Sequence, residues 1–521
     1  MKTEPIKQPT AGPVPLPRLI TEIQSLGVRV PPHISGRKGG AGPAEGRAML
    51  IENVPVNVPI SNSFVADSPY ALTETCCGYV LTKDGADLKT VDIVADPRFY
   101  KEQVSEGVTG KQTALLHGRD CLATTVLQTC VHWKTHRQCR FCGTELSLAA
   151  GGTTPVKRPS DLARLTASAV EKDGIRHVVL TSGTADPPGA EIPYLAECVR
   201  TIKSATNIPV HVQFAPPPEH DGMIILKQAG VDTVGIHIES FEASVLERMA
   251  PAKAAIGRRR YEAAWEKAVG LFGVNQVSSF IIAGLGESPQ SIVWGSEILA
   301  DMGVYPFVVP LRPIPGSQLA GEKPPAPDIM HRIYEAVAGI LKKKGLSASA
   351  CRAGCVPCGA CSALGAYEGP MARLLCHRAR TASERSAAMA IRHQVFVEEQ
   401  GLFEHSDEDA DDARSTLLVA KINTDVVGTV RVYPTGNGQW VGGRLAVHTD
   451  HRVYKVGASL VREAMKRVKK EGCRRFTANI QEANIRFFQR LGWKPDGEMK
   501  IYQGEPHQLM VADLGLVPDD L

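Results

Sequence analysis

No stretch of this chain approaches the roughly 18 consecutive apolar residues that a membrane span needs, so the sequence offers no candidate for one. The segment from Met1 to Leu19 is rich in proline and polar residues and lacks the apolar core of a signal peptide, so a cytoplasmic protein is expected. Charge of one sign is scarce as well. The formal net charge is +4 over 521 residues, and the longest basic runs, Arg258 to Arg260 and Lys342 to Lys344, are three residues each. That balance neither demands nor excludes a nucleic-acid partner. Internal repeats are absent, which removes solenoid and propeller architectures. What remains is ordinary globular composition, 43% hydrophobic and 22% charged, in a chain too long for one core.

Cysteine is the exception to this plainness. Thirteen are present, an odd number in a chain without an export signal, which favours thiolate-metal chemistry over a disulfide framework. Seven of them sit in two tight groups. From Ala123 to Leu311, short β-branched runs alternate with longer amphipathic ones, the pattern of strand-helix units with parallel strands. Strands are expected at Ala123 to Thr129, His177 to Thr181, Val210 to Phe214, Thr233 to Ile238, Val277 to Ile282 and Phe307 to Leu311. The expected fold is therefore α/β, a partial (β/α)6 TIM-type barrel over 113–350. It is preceded by an irregular extension over 1–112 and followed by a Cys-rich segment and connector over 351–380. A third region over 381–521 has a helix (Ala387 to Gln400), strands Thr416 to Ile422 and Val426 to Tyr433 joined by Asn423-Thr424-Asp425, then strand, basic helix, strand and short helix.

The first cysteine group, Cys130, Cys139 and Cys142, lies on a loop just after the first expected strand. Three ligands leave one iron of a four-iron cluster open to a cosubstrate, as an open metal site does elsewhere. The ending Cys139-Arg-Phe141-Cys142 resembles the Cys-x-aromatic-Cys of radical S-adenosylmethionine (SAM) enzymes. The commonest spacing of that superfamily puts its first cysteine where this chain has Thr135. The resemblance implies a 4Fe–4S cluster that chelates SAM and cleaves it to a 5′-deoxyadenosyl radical. It also implies roles for residues at later strand ends. Ser182, Gly183 and Thr184 match the stretch that holds the SAM amino group, Glu239 the residue that binds the ribose, and Ile282, Gly284 and Glu287 the adenine-binding stretch, with Phe280 in place of its first glycine. Arg260 is the candidate for the SAM carboxylate, with Arg258 and Arg259 as alternatives. A four-Cys zinc site of Cys121, Cys130, Cys139 and Cys142 is the competing reading of the ligands alone.

The second group, Cys351, Cys355, Cys358 and Cys361, supplies four thiolates with Gly354 and Gly359 between them. Four ligands complete a cluster, which suits electron transfer or structure, and zinc is the alternative. In the third region, Arg452 to Ala458 follows Val447 and opens a basic helix. Arg452, Gly457 and Ala458 resemble the Arg-x-x-Gly-x-Gly/Ala loop of GNAT-family N-acetyltransferases, with Lys455 for its first glycine. Asn484 to Trp493 resembles a downstream segment of the same family. This implies acetyl-CoA held on backbone N–H groups at the helix start. Phe488 stands where family members use a tyrosine to protonate the leaving thiolate, so either another group such as Tyr502 substitutes or the domain binds acyl-CoA without transferring the acyl group. The Gly39 to Pro43, Leu116 to Thr129 and Cys-rich segments resemble the radical SAM family encoded in bacterial nitrilase gene clusters. That resemblance implies a small-molecule substrate in nitrile or nitrogen metabolism, and an electron donor such as flavodoxin or ferredoxin is expected. The catalytic subunit of the elongator complex shares the domain order, but its tRNA substrate fits poorly with the near-neutral charge and absent basic arm. An iron-sulfur redox sensor with a CoA-binding module is the non-catalytic alternative.

Overall fold

A computed structural model describes residues 14–36, 46–75, 78–219, 221–369, 374–422, 425–454 and 456–517. Gly39 to Pro43, Lys455 and the turn residues Asn423 and Thr424 lie outside the described residues. The chain divides into two units, Met1–Met371 and Ala372–Leu521.

In the first unit, the six expected strand regions pair in parallel and in chain order: Cys121–Leu127, His177–Ser182, Val210–Gln213, Thr233–Gly235, Val277–Ala283 and Val304–Pro310. They make an open half-barrel sheet, and the short strand Leu115–His117 turns back antiparallel on the first. These strands are apolar on both faces, as a parallel sheet covered by helices requires. Nearly every residue of Cys121–Leu127 and Val304–Pro310 is buried. The covering helices carry clear boundary signals. Pro159–Asp173 starts with proline in its first turn and ends at Gly174 in the left-handed conformation. Pro327–Lys344 does the same, with Asp328 in its first turn and Lys342 to Lys344 in its last. That basic run therefore complements the helix dipole.

The first hundred residues depart from expectation. Where the sequence suggested an irregular extension, residues 46–93 form a five-stranded antiparallel sheet, and Leu16–Leu26 is an amphipathic helix. Leu19, Ile20, Ile23, Val56 and Val58 share one core with the half-barrel. The reason is tertiary: these short strands bury their apolar sides on residues far along the chain, so proline and glycine content at Pro31 to Gly46 was a poor guide to what lay beyond it. The connector expected at its other end is also structured. Ser362 donates to the Val308 carbonyl at 2.5 Å, and Leu364–Tyr367 is helical. Leu374–Arg378 is the first strand of the second unit, pairing with Thr416–Ile422.

The second unit is a mixed sheet in the order 374–378, 416–422, 425–436, 439–447, 475–481, 505–512 and 493–495. One neighbouring pair is parallel, Gln439–Val447 with Arg475–Gln481, and its pairing ends at Gly442 and Ala478. Beyond that point the two strands part. Helix Ala382–His393, capped by Thr381 and Glu384, runs into one π-helical turn, Gln394–Glu399. Helix Val456–Lys470 packs Leu460, Val461, Ala464 and Val468 into the core.

An ion network stiffens this unit. Arg392, 0% exposed, binds Asp407 at 2.8 Å and Asp412 at 2.6 Å, and Arg431 binds Asp409 and Asp412 at 2.6 and 2.8 Å. Burial alone would raise the Asp412 carboxyl. Hydrogen bonds from Arg392, the Asp409 amide and Arg431 outweigh it and hold the group well below the usual carboxylate range. Removing one partner of such a set strands the others in low dielectric. Arg392→Met is therefore expected to destabilise this unit by about 3–5 kcal/mol, read as a lowered thermal transition in the full chain. A depressed folded-state carboxyl contributes stability above its unfolded value and loses it as pH falls. The gap between wild type and variant should thus be widest above roughly pH 4 and close in stronger acid.

Candidate active sites

Barrel-type sites are built at the C-terminal ends of the strands, and the first cysteine group stands there. Cys130 follows strand Cys121–Leu127, and its amide donates to Glu145 at 2.9 Å. The Val131 amide donates to the Thr184 carbonyl at 2.9 Å and the Gly183 amide to the Leu127 carbonyl at 2.9 Å, so Ser182, Gly183 and Thr184 lie directly against the cysteine loop. The fit is close: a Cβ on Gly183 would stand 2.0 Å from the Thr129 carbonyl oxygen. Cys142 has the Thr144 hydroxyl at 3.1 Å and accepts from its amide at 3.5 Å. Burial pushes the Cys139 thiol up to about 12, and the ammonium of Lys253 pulls the other way.

Glu239 sits just past the Thr233–Gly235 strand with φ of 75°, a backbone strain that active-site residues often carry. Its amide donates to Phe280 and its carbonyl accepts from Ile282 at 2.9 Å, tying it to the adenine-stretch candidate. Gly284 and Gly286 have φ of 105° and 112°, and the Gly284 amide donates to Glu287 at 2.8 Å. Burial raises the Glu287 carboxyl against those backbone amides. Arg260 is exposed in the first turn of helix Arg258–Phe272, away from this group. Arg258 stacks on Phe241 and Trp294. The cation that does meet Glu239 is Lys253, whose Nζ donates to its Oε1 and to the His237 carbonyl. Burial would lower that ammonium, and the Glu239 carboxylate outweighs it. Lys253 belongs to no motif, and its position depends on how helix Pro251–Ile256 folds back over the rim.

The residues fit the groups a radical SAM site must hold. Three thiolates are available. Glu239 Oε2, Glu287 Oε2 and Trp133 Nε1 are buried without a partner, as polar atoms that await a ligand would be. Among the described residues no three His, Cys, Asp or Glu side chains converge on a single ion position, and a four-iron cluster does not require that, since each thiolate takes its own iron. The zinc reading of the first group fails on geometry. Cys121 begins the strand that Cys130 follows, and six steps along a strand span roughly 20 Å.

Cys121 lies instead with the second group. Its thiol is hydrogen-bonded to Cys358 and shares a small apolar nest with Val179 and Ala360. This group packs on the same sheet, against residues at the starts of strands His177–Ser182 and Thr233–Gly235 and at the end of strand Val210–Gln213. Gly354 donates to His177 Nδ1 at 3.3 Å, Thr233 donates to the Ala353 carbonyl at 3.1 Å, and Gln213 donates to Cys355 Sγ at 3.4 Å. The Ala360 carbonyl accepts from Gln24 Nε2 at 2.9 Å and from the Asn57 amide at 2.7 Å. The N-terminal helix and sheet thus clamp the loop between Cys358 and Cys361. Burial pushes the Cys351 thiol up to about 12 and raises Cys355. A cavity of about 290 Å³ is lined by residues of both groups, Phe141 and Cys142 from the first and Cys355 and Cys361 from the second. Glu239, His237 and Arg312 also line it, and His237 stacks on Phe280 at 4.3 Å.

The second unit holds its own cavity, about 650 Å³, where strands 439–447 and 475–481 part. Arg452, Gly457, Ala458, Val447 and Asn484 all line it. Arg452 donates to the Val447 carbonyl at 3.2 Å and grips Glu399 with two bonds of 2.6 Å. Asn484 donates to Gln481 at 3.2 Å. Phe488 is 6% exposed and packs edge-on against Trp493.

These two sites are of recognised kinds. The chain carries a radical SAM domain, matched by the superfamily's model over residues 135–293, and an acetyltransferase domain of the GNAT family, matched over residues 385–493. A radical SAM domain implies a 4Fe–4S cluster and SAM, a GNAT domain implies acyl-CoA, and both point to an enzyme. Among similar proteins, bacteriochlorophyllide c C-7(1)-hydroxylase of Chlorobaculum limnaeum is 26% identical over 239 residues, 41% of this chain and 58% of that enzyme. The chain therefore spans little more than half the length of that relative. A protein of Bacillus subtilis (strain 168), described provisionally as an acetyltransferase, is 30% identical over 126 residues, 24% of this chain and 85% of that one. Solved structures similar to the C-terminal part include a provisionally assigned N-acetyltransferase from Lactobacillus plantarum, at 22% identity, 27% and 98% coverage of the two chains and TM-score 0.26. Escherichia coli ElaA has 23% identity, 27% and 99% coverage and TM-score 0.25. No helix among the described residues is long and apolar enough to cross a membrane.

Gly183→Ala must push the Thr129 to Cys130 backbone aside. The variant is expected to fold but to lose most SAM cleavage. Equal 5′-deoxyadenosine formation in the two proteins would show that the close approach at Gly183 does not matter.

Proposed function

We propose that Cys130, Cys139 and Cys142 hold a SAM-cleaving 4Fe–4S cluster at the rim of the half-barrel, and that a small substrate reacts in the lumen below it. When bound, the cluster and SAM supply a 5′-deoxyadenosyl radical that abstracts a hydrogen atom. The observation that carries this reading is that the cysteine loop, Ser182 to Thr184, Glu239 and the Ile282 to Glu287 stretch, distant in sequence, end on one rim above one cavity. Ser182 to Thr184 receive the SAM amino group, Glu239 the ribose, and the Ile282, Gly284 and Glu287 stretch the adenine. Lys253 takes the place assigned to Arg260 from the sequence, as a cation bound directly to Glu239.

The lumen limits the substrate. A cavity of about 290 Å³ suits a small molecule. Arg312 lines the lumen with Nη1 buried and unpartnered, so the substrate presents an acceptor or anionic group to it. Cys351, Cys355, Cys358 and Cys361 form a second centre, an auxiliary 4Fe–4S cluster, beside the same lumen, where it can contact substrate or take an electron from it. The hydroxylase relative supports chemistry at a C–H bond and not its own substrate. The acyltransferase domain then uses acetyl-CoA on an amine. Nitrile or nitrogen metabolism and a flavodoxin- or ferredoxin-type electron donor complete the reading.

Anaerobic reconstitution with iron and sulfide, reduction with dithionite, and assay of 5′-deoxyadenosine from SAM test it. Formation should be abolished in Cys139→Ala and persist in Cys358→Ala, with iron content falling in each by about one four-iron cluster. Retention of activity in Cys139→Ala would remove the radical-generating role from the first group. A fully loaded wild type that cleaves no SAM, with or without cell-extract small molecules, would favour the redox-sensor reading.

A further inference from the structure

Phe488 has no dissociable proton, so in the second unit both the proton taken from an attacking amine and the proton given to the departing thiolate need a carrier elsewhere. The cavity offers few uncommitted groups. Arg431 is tied to Asp409 and Asp412, Arg444 to Asp407 and Asp409, and Arg452 to Glu399. Asp411 is paired with Arg414 and hydrogen-bonded by Tyr433. Tyr502 is the other open group, 43% exposed at the edge of the cavity.

His507 differs from all of these. Its Nδ1 lies 2.9 Å from the Glu505 carbonyl oxygen, an atom that can only accept, so Nδ1 carries the ring proton and Nε2 keeps its lone pair. The one hydrogen bond found for the ring among the described residues is that of Nδ1, and His507 lines the cavity. The ring is 8% exposed and packs edge-on with Tyr502 at 5.5 Å, so its orientation is set by its surroundings. Strand register adds the sheet face. His507 pairs with Gln481 and Leu509 with Asn479. Alternation puts them on the sheet face opposite Ile480 and Met510, which pack in the core with helix Val456–Lys470. His507 therefore stands on the sheet face away from the helix whose first turn carries Gly457 and Ala458, and it lines the same cavity as those residues.

We propose that His507 is the general base of acyl transfer to a primary amine. This rests on the reading of this unit as an active acyltransferase. Nε2 takes a proton from the amine as its nitrogen attacks the thioester carbonyl. The C–N bond forms and the C–S bond breaks. The proton on Nε2 then passes to the departing thiolate, so the products are the amide and CoA thiol.

The full chain is tested with acetyl-CoA and a panel of primary amines comprising tyramine, spermidine and the common amino acids, with CoA measured by chromatography. His507→Gln places an amide near the Nε2 position, and His507→Asn keeps a donor for the Glu505 carbonyl. Neither can accept the proton. Both are expected to lower amine-dependent kcat/KM about 100-fold, to bind acetyl-CoA as wild type does by calorimetry, and to lose the low-pH limb of the wild-type rate profile. A second readout needs no turnover: diethyl pyrocarbonate should carbethoxylate His507 in the native protein, located by peptide mass mapping, because Nε2 is unprotonated. Wild-type rates in both variants, or a His507 that resists the reagent, would overturn the base assignment and leave the acyltransferase reading in place. A wild type that binds acetyl-CoA but acylates none of the amines would overturn that reading, and the base with it.

Discussion

Parallel pairing gives every strand of the half-barrel the same direction, and the chemistry of the first unit depends on that polarity. All C-terminal ends meet on one rim, where backbone N–H and C=O groups left over from the ladder are free to turn toward a ligand. All N-terminal ends meet on the other. Strand Cys121–Leu127 carries both consequences in one element, since Cys121 at its start belongs to the second cysteine group and Cys130 just past its end to the first. The cavity is lined by Cys142 of the first group and by Cys355 and Cys361 of the second.

The second unit obtains its cavity from the same kind of constraint. An otherwise antiparallel sheet contains one parallel pair, and the two strands cannot stay paired beyond Gly442 and Ala478. The parted backbone leaves room for an acyl-CoA on one face and an acceptor on the other. Buried arginines and aspartates hold the surrounding loop in place. They also use up most of the charged groups in the wall, and His507 lines the cavity outside that network.

Much of this was legible in the sequence. The alternation of apolar runs located all six parallel strands to within a few residues, because strands buried on both faces are rich in apolar and β-branched residues. Cysteine spacing located both thiol groups, since ligands on a tight loop have to be close in sequence. Glu239 and the Ile282 to Glu287 stretch were expected at strand ends, and the structure joins them through backbone hydrogen bonds. Other features left no local signature. The N-terminal sheet was read as irregular because its strands are stabilised by the half-barrel core, and the clamp of Gln24 and Asn57 on Ala360 joins residues more than 300 positions apart. Arg260 looked suitable because three arginines open a helix, yet the helix turns it to solvent.

By itself, then, the sequence determined the class of chemistry in each half of the chain and the elements that carry it, because periodicity and ligand spacing are local properties. Only the tertiary structure decided which groups meet: Lys253 with Glu239, Cys121 with Cys358, residues of both thiol groups on one cavity, and His507 on the cavity of the second unit. Those contacts depend on strand polarity, register and burial, and each is a relation between residues that no stretch of chain contains alone.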